Sequence, residues 1–375
     1  MSKRPKVMML GLRGVPQVQG GVEKHVEELA RVFVEKGWDV EVLGRKPYLT
    51  QKQPYQWEGV QVTPLWAPVS TKFEAIAHTF LGVLVAAVRR PDILHIHAIG
   101  PALLTPLARL FGLKTVVTHH GFDYNRDKWG GLARKMLKTG EWAGMRFASQ
   151  RIAVSRHIVE TMAERYHVSA QFIPNGVTLR ESAGTSDVLQ QFGLGEKQYV
   201  VMVARIVPEK NQHDLITAFA AMQAAGYHTD KKLAIVGAAD HQSLYVDQVK
   251  ALAAKTPNVV LTGMQRGDDL AALYSNAALF VLPSSHEGMP IAMMEAMGYG
   301  LPVLASNITA NLEVGLPEGD YFLLGNTQAL AMQMAVKLDQ PLSSKQAQAQ
   351  SAEVAATYGW SGIADQTLVV YQRLI

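Results

Sequence analysis

The chain contains no cysteine, so no disulfide staples it and no thiolate holds a metal in it. It also has no long apolar run. The best stretch, Leu81 to Val88, falls far short of the ~20 residues a bilayer-spanning helix needs. No Asp-x-Asp triplet and no histidine group at metal-ligand spacing appears, so no metal site is expected. The first glycine-rich turn lacks the Gly-x-Gly-x-x-Gly spacing, which argues against a nicotinamide enzyme. No basic stripe interleaved with aromatics runs along the chain, and a nucleic-acid partner is not expected.

What is present describes an ordinary globular protein. Its 375 residues exceed what one hydrophobic core usually supports. Two domains are therefore expected, and 48% hydrophobic residues with 18% charged would let both bury real cores. Net charge +4 and a pI of about 9.0 permit an acidic partner without choosing among nucleotide phosphate, lipid and nucleic acid. The opening Met1-Ser2-Lys3-Arg4-Pro5 leads into a short apolar run with no small-residue cleavage site. A cytoplasmic location is the expectation.

Short β-branched runs alternate with longer segments of helical period from end to end, the pattern of parallel sheets with crossover helices. In the first half, strands are expected at Lys6–Leu12, Asp39–Gly44, Val60–Leu65, Ile93–Ala98, Thr115–His119, Arg151–Val154 and Gln171–Pro174. Helices fill Gly21–Lys36, Phe73–Arg89, Pro101–Phe111, Gly130–Ser149 and Arg156–Tyr166. The second half repeats the pattern with strands at Tyr199–Ala204, Lys232–Gly237, Val259–Thr262, Leu279–Leu282, Pro302–Ala305 and Tyr321–Leu324. The fold class is α/β, with two Rossmann-like domains. The polar stretch Glu181 to Asp187 reads as the linker. That divides the chain into 1–180, 181–358 and a last segment, 359–375, whose apolar residues recur at helical spacing and should pack back on the first domain.

The richest segment is Ser284-Ser285-His286-Glu287-Gly288-Met289-Pro290-Ile291-Ala292-Met293-Met294-Glu295, after the apolar run Ala278 to Leu282. A strand, a turn and a helix start meet there. Pro290 suits a first helical position, which would turn the amides of Met289, Ile291 and Ala292 outward. Glu287 and Glu295 then stand at the carboxyl end of a strand, where open α/β sheets bind ligands. The plainer alternative makes Glu287 a cap and Glu295 a solvated helix residue.

Two more turns carry candidate chemistry. Gly11, Gly14, Gly20 and Gly21 precede an amphipathic helix beginning Val22-Glu23-Lys24-His25. Gly20 and Gly21 would let backbone approach a phosphate, or simply form a tight turn. In the second half, Arg205 and Lys210 lie five residues apart just before a helix. Such a pair can clamp a diphosphate in place of a metal, although either cation alone more often makes a surface salt bridge.

Taken together, Gly20-Gly21-Val22-Glu23, Arg205 with Lys210, Glu287-Gly288-Met289-Pro290 with Glu295, and the hinge Ile173 to Val177 resemble the retaining glycosyltransferases of family 4, along essentially the whole chain. The resemblance implies the GT-B arrangement, in which the two domains face an interdomain cleft. It implies a nucleoside-diphosphate sugar donor, no cofactor and no metal, with Arg205 and Lys210 on the diphosphate and Glu295 on the ribose. Glu287 with the amides that follow it, in the stretch Gly288, Met289, Pro290 and Ile291, would grip the donor sugar, with Gly20 and Gly21 approaching phosphate and sugar. His120, before Gly121, matches the histidine that contacts the transferred sugar and is preferred to His119. Asp123, Lys128 and Trp129 follow in the same loop as candidates for the acceptor. The nucleotide's own phosphate oxygen would accept the acceptor's proton, so that no protein nucleophile is required; the alternative makes Glu287 a covalent nucleophile.

The acceptor implied is a glycan or lipid-linked glycan in bacterial cell-surface polysaccharide synthesis. Arg134, Lys135 and Lys138 with Trp142, Arg146 and Phe147 suit an anionic inner membrane face, or equally a helix packed on the sheet with snorkelling lysines. Arg45, Lys46, Tyr48 and Lys52 add a second basic loop. The competing readings are a nucleotide-sugar epimerase of the same fold and a non-catalytic sugar-binding protein.

Overall fold

The computed structural model describes residues 4–18, 20–68, 74–125, 130–179, 187–239 and 242–375. Two compact units divide the chain, one of residues 1–176 with 360–375 and the other of 177–359. The change of unit falls at Gly176/Val177, inside the hinge segment, a few residues before the polar stretch expected to do this. That stretch, apart from Asp187, lies outside the described residues.

The first unit is built on eight strands: β1 (Lys6–Leu10), β2 (Asp39–Arg45), β3 (Tyr55–Trp57), β4 (Val60–Leu65), β5 (Ile93–His97), β6 (Thr115–His119), β7 (Gln150–Ala153) and β8 (Gln171–Phe172). They run in the order β3-β4-β2-β1-β5-β6-β7-β8. All pairings are parallel except β3 with β4. The sequence reading missed β3, a three-residue strand too short to show a period. Val7 and Met9 of β1 are fully buried, packed with Val26, Leu29 and Phe33 of the helix Gly21–Glu35. Ile363, Ala364, Leu368 and Tyr371 of the last helix, Trp360–Gln372, join the same core. The C-terminal segment thus belongs to the first unit.

The expected helix Pro101–Phe111 is two pieces, a 3-10 turn Pro101–Leu104 and a helix Thr105–Leu110. Pro106 has no N–H for the carbonyl of Ala102, and the hydroxyl of Thr105 donates to that carbonyl instead, at 2.7 Å.

The second unit has β9 (Tyr199–Val203), β10 (Lys232–Val236), β11 (Val259–Gly263), β12 (Leu279–Leu282), β13 (Val303–Ser306) and β14 (Tyr321–Phe322), all parallel, in the order β11-β10-β9-β12-β13-β14. The first strand of the unit is central, with sequence order running outward from it both ways. Between β9 and β12 lies the topological switch point, where crossovers leave to opposite faces and the loops at the strand ends part to make a crevice. The helix Ser344–Tyr358 buries little beyond Val354, in line with its polar composition.

Candidate active site

At the switch point, β9 feeds the loop of Arg205 and Lys210, and β12 feeds the loop of Glu287. Adjacency in a parallel sheet brings these two loops together although some eighty positions separate them. Lys210 forms an ion pair with Glu287, and both side chains are largely buried. The loops are also joined through backbone. Ser285 N–H donates to the carbonyl of Glu209 at 2.9 Å, and Asn211 Nδ2 donates to the carbonyl of Pro283, also at 2.9 Å. Gln212 Nε2 ties the carbonyl of Arg205 at 2.7 Å. Asn211, the residue before the helix Gln212–Ala224, has a left-handed backbone and its side chain does not cap that helix. The helix's first-turn N–H groups keep their partial positive charge toward the end of the loop that carries both cations.

Gly237, just after β10, lets that strand's end approach the backbone of Ala204, where the Arg205 loop begins. Its φ is +137°, and a Cβ there would meet the carbonyl oxygen of Ala204 at 2.0 Å.

Glu295 stands in the helix Ile291–Gly298, where the hydroxyl of Tyr274 donates to its Oε2 at 3.0 Å. Tyr274 is buried, and burial, reinforced by the Glu295 carboxylate, raises its phenol well above its ordinary pKa. It therefore stays protonated and able to donate. Pro290 is the residue before the helix, not its first residue. Its carbonyl accepts from Met293 and Met294, and the amide of Ile291 donates to the carbonyl of Met289 at 2.9 Å. The expectation that the Ile291 amide faces outward is corrected accordingly. The side chains of Met289 and Ile291 pack against Val177, Met294 and Val354. Gly288 lies in the same turn, ahead of Met289.

In the first unit, the glycine turn is braced by the helix that follows it. Glu23 Oε1 accepts from the backbone N–H of Arg13 at 3.0 Å and from its Nε at 3.1 Å. Gly20 has a φ of +150°, and a Cβ there would lie 1.9 Å from Glu23 Oε2. Around Gly21 that space is open.

His119 and His120 separate cleanly. His119 is fully buried, with Nε2 3.2 Å from Glu141 Oε2 and Nδ1 accepting the amide of Gly121 at 3.2 Å. Glu141 is fully buried too and also receives Arg165 Nη1 at 2.8 Å and the Tyr166 hydroxyl at 2.7 Å. His119 is thus part of the scaffold. His120 instead joins His97 and His25, with His97 Nδ1 3.1 Å from His120 Nε2 and the His25 ring 4.9 Å from that of His120. Burial lowers the pKa of His25 to about 4 despite a hydrogen bond with Asn175. Burial and then the neighbouring imidazoles hold His97 and His120 well below their usual value.

Sequence reasoning passed over His25 and His97, and it expected no histidine group at metal-ligand spacing. Spacing along the chain was the wrong measure, since the three rings come from different elements and meet only on folding. The visible signals were His95 and His97 two apart in one strand, hence on one face, and His25 one turn into the helix after the glycine loop.

Asp123 opens a short 3-10 turn, its amide bonded to the carbonyl of Gly121 at 3.0 Å. Lys128 and Trp129 lie outside the described residues. In the loop after β2, Arg45 Nη1 pairs with Glu74 at 2.9 Å, where the Tyr48 hydroxyl also donates at 3.0 Å. Lys52 is exposed, with its Nζ bonded to the carbonyls of Lys46 and Leu49. The helix Gly131–Phe147 presents a basic surface. Arg134, Lys135, Lys138, Trp142, Arg146 and Phe147 are exposed, while Leu137 and Met145 are buried. Trp142 and Phe147 meet edge to face at 5.4 Å on that surface.

Two family models match consecutive stretches of the chain, Glycosyltransferase Family 4 over residues 19–181 and Glycosyl transferases group 1 over residues 187–355. The chain is similar to a glycogen synthase of Mycobacterium tuberculosis, 25% identical over 98% of this chain and 94% of that protein. It is 28% identical to an Escherichia coli UDP-Gal:alpha-D-GlcNAc-diphosphoundecaprenol alpha-1,3-galactosyltransferase, over 62% of each. Among solved structures, sucrose-phosphate synthase from Thermosynechococcus elongatus matches with a TM-score of 0.84 at 22% identity, over 99% of both chains, and shows the GT-B fold.

Proposed function

We propose that this chain, which belongs to the family 4 glycosyltransferases of GT-B fold, moves a sugar with retention from a nucleoside-diphosphate sugar to a glycan or lipid-linked glycan in bacterial cell-surface polysaccharide synthesis. The observation that carries this reading is the meeting of the Arg205 and Lys210 loop with the Glu287 loop at the β9/β12 switch point. The Escherichia coli relative supports the substrate classes, since its name describes a UDP-sugar donor and a diphosphoundecaprenol-linked acceptor.

In this reading Arg205, Lys210 and the uncapped helix start bind the diphosphate without a divalent ion. Negative charge grows on the diphosphate as the bond to the sugar's anomeric carbon lengthens. Fixed cations bind that charge more tightly in the transition state than in the ground state, which is what lowers the barrier. Glu287, oriented by Lys210, accepts from sugar hydroxyls, with the backbone of Gly288, Met289, Pro290 and Ile291 beside it. Glu295, held by Tyr274, accepts from the ribose. His120, Gly20 and Gly21 are assigned to the donor's sugar and phosphate, and Asp123, Lys128 and Trp129 to the acceptor. The leaving phosphate oxygen takes the acceptor's proton on the face where the new bond forms.

Nucleotide release measured across UDP-, GDP-, ADP- and dTDP-sugars, with the product anomer read by NMR, tests the reaction. Transfer that persists in EDTA with the donor's configuration kept is expected. An inverted product, or release of nucleotide from none of them with any glycan acceptor, would count against it.

The exposed face of the helix Gly131–Phe147 suits an anionic bilayer at the inner face of the cytoplasmic membrane. No carboxylate among the described residues pairs with Arg134, Lys135, Lys138 or Arg146, which leaves their charge for headgroups. Flotation with anionic vesicles but not zwitterionic ones is expected, weakened by a Lys135→Glu, Lys138→Glu double variant. Equal flotation with both vesicle types, or with neither, would remove the membrane assignment.

A further inference from the structure

We infer that His25, His97 and His120 form a binding site for a divalent transition metal of imidazole preference, with zinc as its probe. Each ring offers one nitrogen, and the three lie within 4.8 Å of one another. The rings arrive from separate elements: the helix Gly21–Glu35, the end of β5 and the turn after β6.

Tetrahedral zinc at about 2.1 Å from each nitrogen sets its ligands roughly 3.4 Å apart. His97 Nδ1 and His120 Nε2 already stand at 3.1 Å. An ion bound by both replaces their mutual hydrogen bond and sits off the line joining the two nitrogens, so each ring turns to aim its lone pair at the ion and His25 rotates to join them. A water or a substrate oxygen completes the four.

Two further observations favour an ion here. His25 and His97 are buried, and His25 Nδ1 has no hydrogen-bond partner among the described residues. An unpaired ring nitrogen in a buried place is costly and marks a polar group in need of a ligand. Finally, His97 is backed by His95, ring to ring at 4.0 Å. His95 is itself fixed by Tyr371 and Thr118, each at 2.6 Å, which restrains the ligand ring as supports behind a metal ligand do.

The cluster is all imidazole. It should take zinc, nickel or copper and reject magnesium and calcium, which want oxygen ligands. It lies wholly in the first unit and shares His120 with the assignment to the donor's sugar made above, so a bound ion would compete with that contact.

Titration calorimetry of the full chain with zinc and with magnesium, alongside the visible spectrum of the cobalt-loaded protein, tests this. One zinc per chain, no heat with magnesium and a tetrahedral cobalt band are expected. Loss of a direct ligand in His25→Gln or His97→Gln should weaken zinc by more than the tenfold or so that loss of a partner behind a ligand costs. His213→Gln, a half-exposed histidine elsewhere, should leave binding unchanged. A zinc-dependent rise in melting temperature, present in the parent and His213→Gln and lost in the other two, gives a readout for any variant of altered stability. Absence of stoichiometric zinc binding in the parent, or zinc affinity that survives both cluster variants, would overturn the site.

Discussion

Lys210 and Glu287 share an ion pair that joins the loops of two neighbouring strands, β9 and β12. Each orients the other before any ligand arrives. Preorganised charge of this kind lowers a barrier because it needs no rearrangement as the transition state forms. Lys210→Ala should reduce kcat by about a hundredfold, the scale of losing one fixed donor at a site of developing charge. Some loss of thermal stability should accompany it, because the variant leaves the largely buried Glu287 carboxylate without its partner. Steady-state kinetics paired with calorimetric melting check this, and a variant that melts early while retaining its turnover would contradict it.

The hydroxyl of Tyr274 steadies Glu295 from behind, in a place where water does not compete. Tyr274→Phe removes that hydrogen bond and little volume. A hydrogen bond to a charged group contributes about 1.5–3 kcal/mol, so donor KM should rise roughly tenfold or more if Glu295 binds the ribose. With the interaction made equally in ground and transition states, kcat should change little. A fall in kcat at unchanged donor KM would contradict that role.

Gly237→Ala would place a methyl group 2.0 Å from the carbonyl oxygen of Ala204, at a φ of +137° that disfavours any side chain. The loop beginning at Ala204 must yield, and it carries Arg205. The variant is expected to lose both stability and nucleotide affinity, measured by melting and by calorimetry with UDP, GDP or ADP. Gly21→Ala, whose added methyl meets nothing within 4 Å, should leave melting close to the parent's.

His78 is fully buried in the helix Glu74–Arg89, and burial, then the positive charge of Arg45, lowers its pKa to about 4. An unfolded chain protonates histidine near pH 6.5, so between those two values the unfolded state binds the extra proton. Stability from this group is whole above pH 6.5 and drains away as the pH falls toward 4, by an amount on the order of 3 kcal/mol. His78→Gln cannot titrate and should flatten the acid limb of the stability curve. Urea midpoints at pH 7.5 and 4.5 report it: an equal drop in parent and variant would show that His78 has no part in it.

The sequence by itself determined the two-unit α/β plan, because strand and helix periods are local and each βα step repeats them. It placed thirteen of the fourteen strands to within a few residues and set Gly20, Gly21, Arg205, Lys210, Glu287 and Glu295 at strand ends or helix starts. It also separated the last helix from the one before it by apolar spacing alone. What chain order could not supply is which strand lies beside which. Tertiary structure decided that β12 pairs with β9, and so that Lys210 faces Glu287. Folding also paired Arg45 with Glu74, fixed His119 on Glu141 and gathered His25, His97 and His120 from three elements. The reason is physical: backbone preference and apolar period act over a few residues, whereas a side chain's partner is chosen by sheet order and packing between segments far apart in the chain.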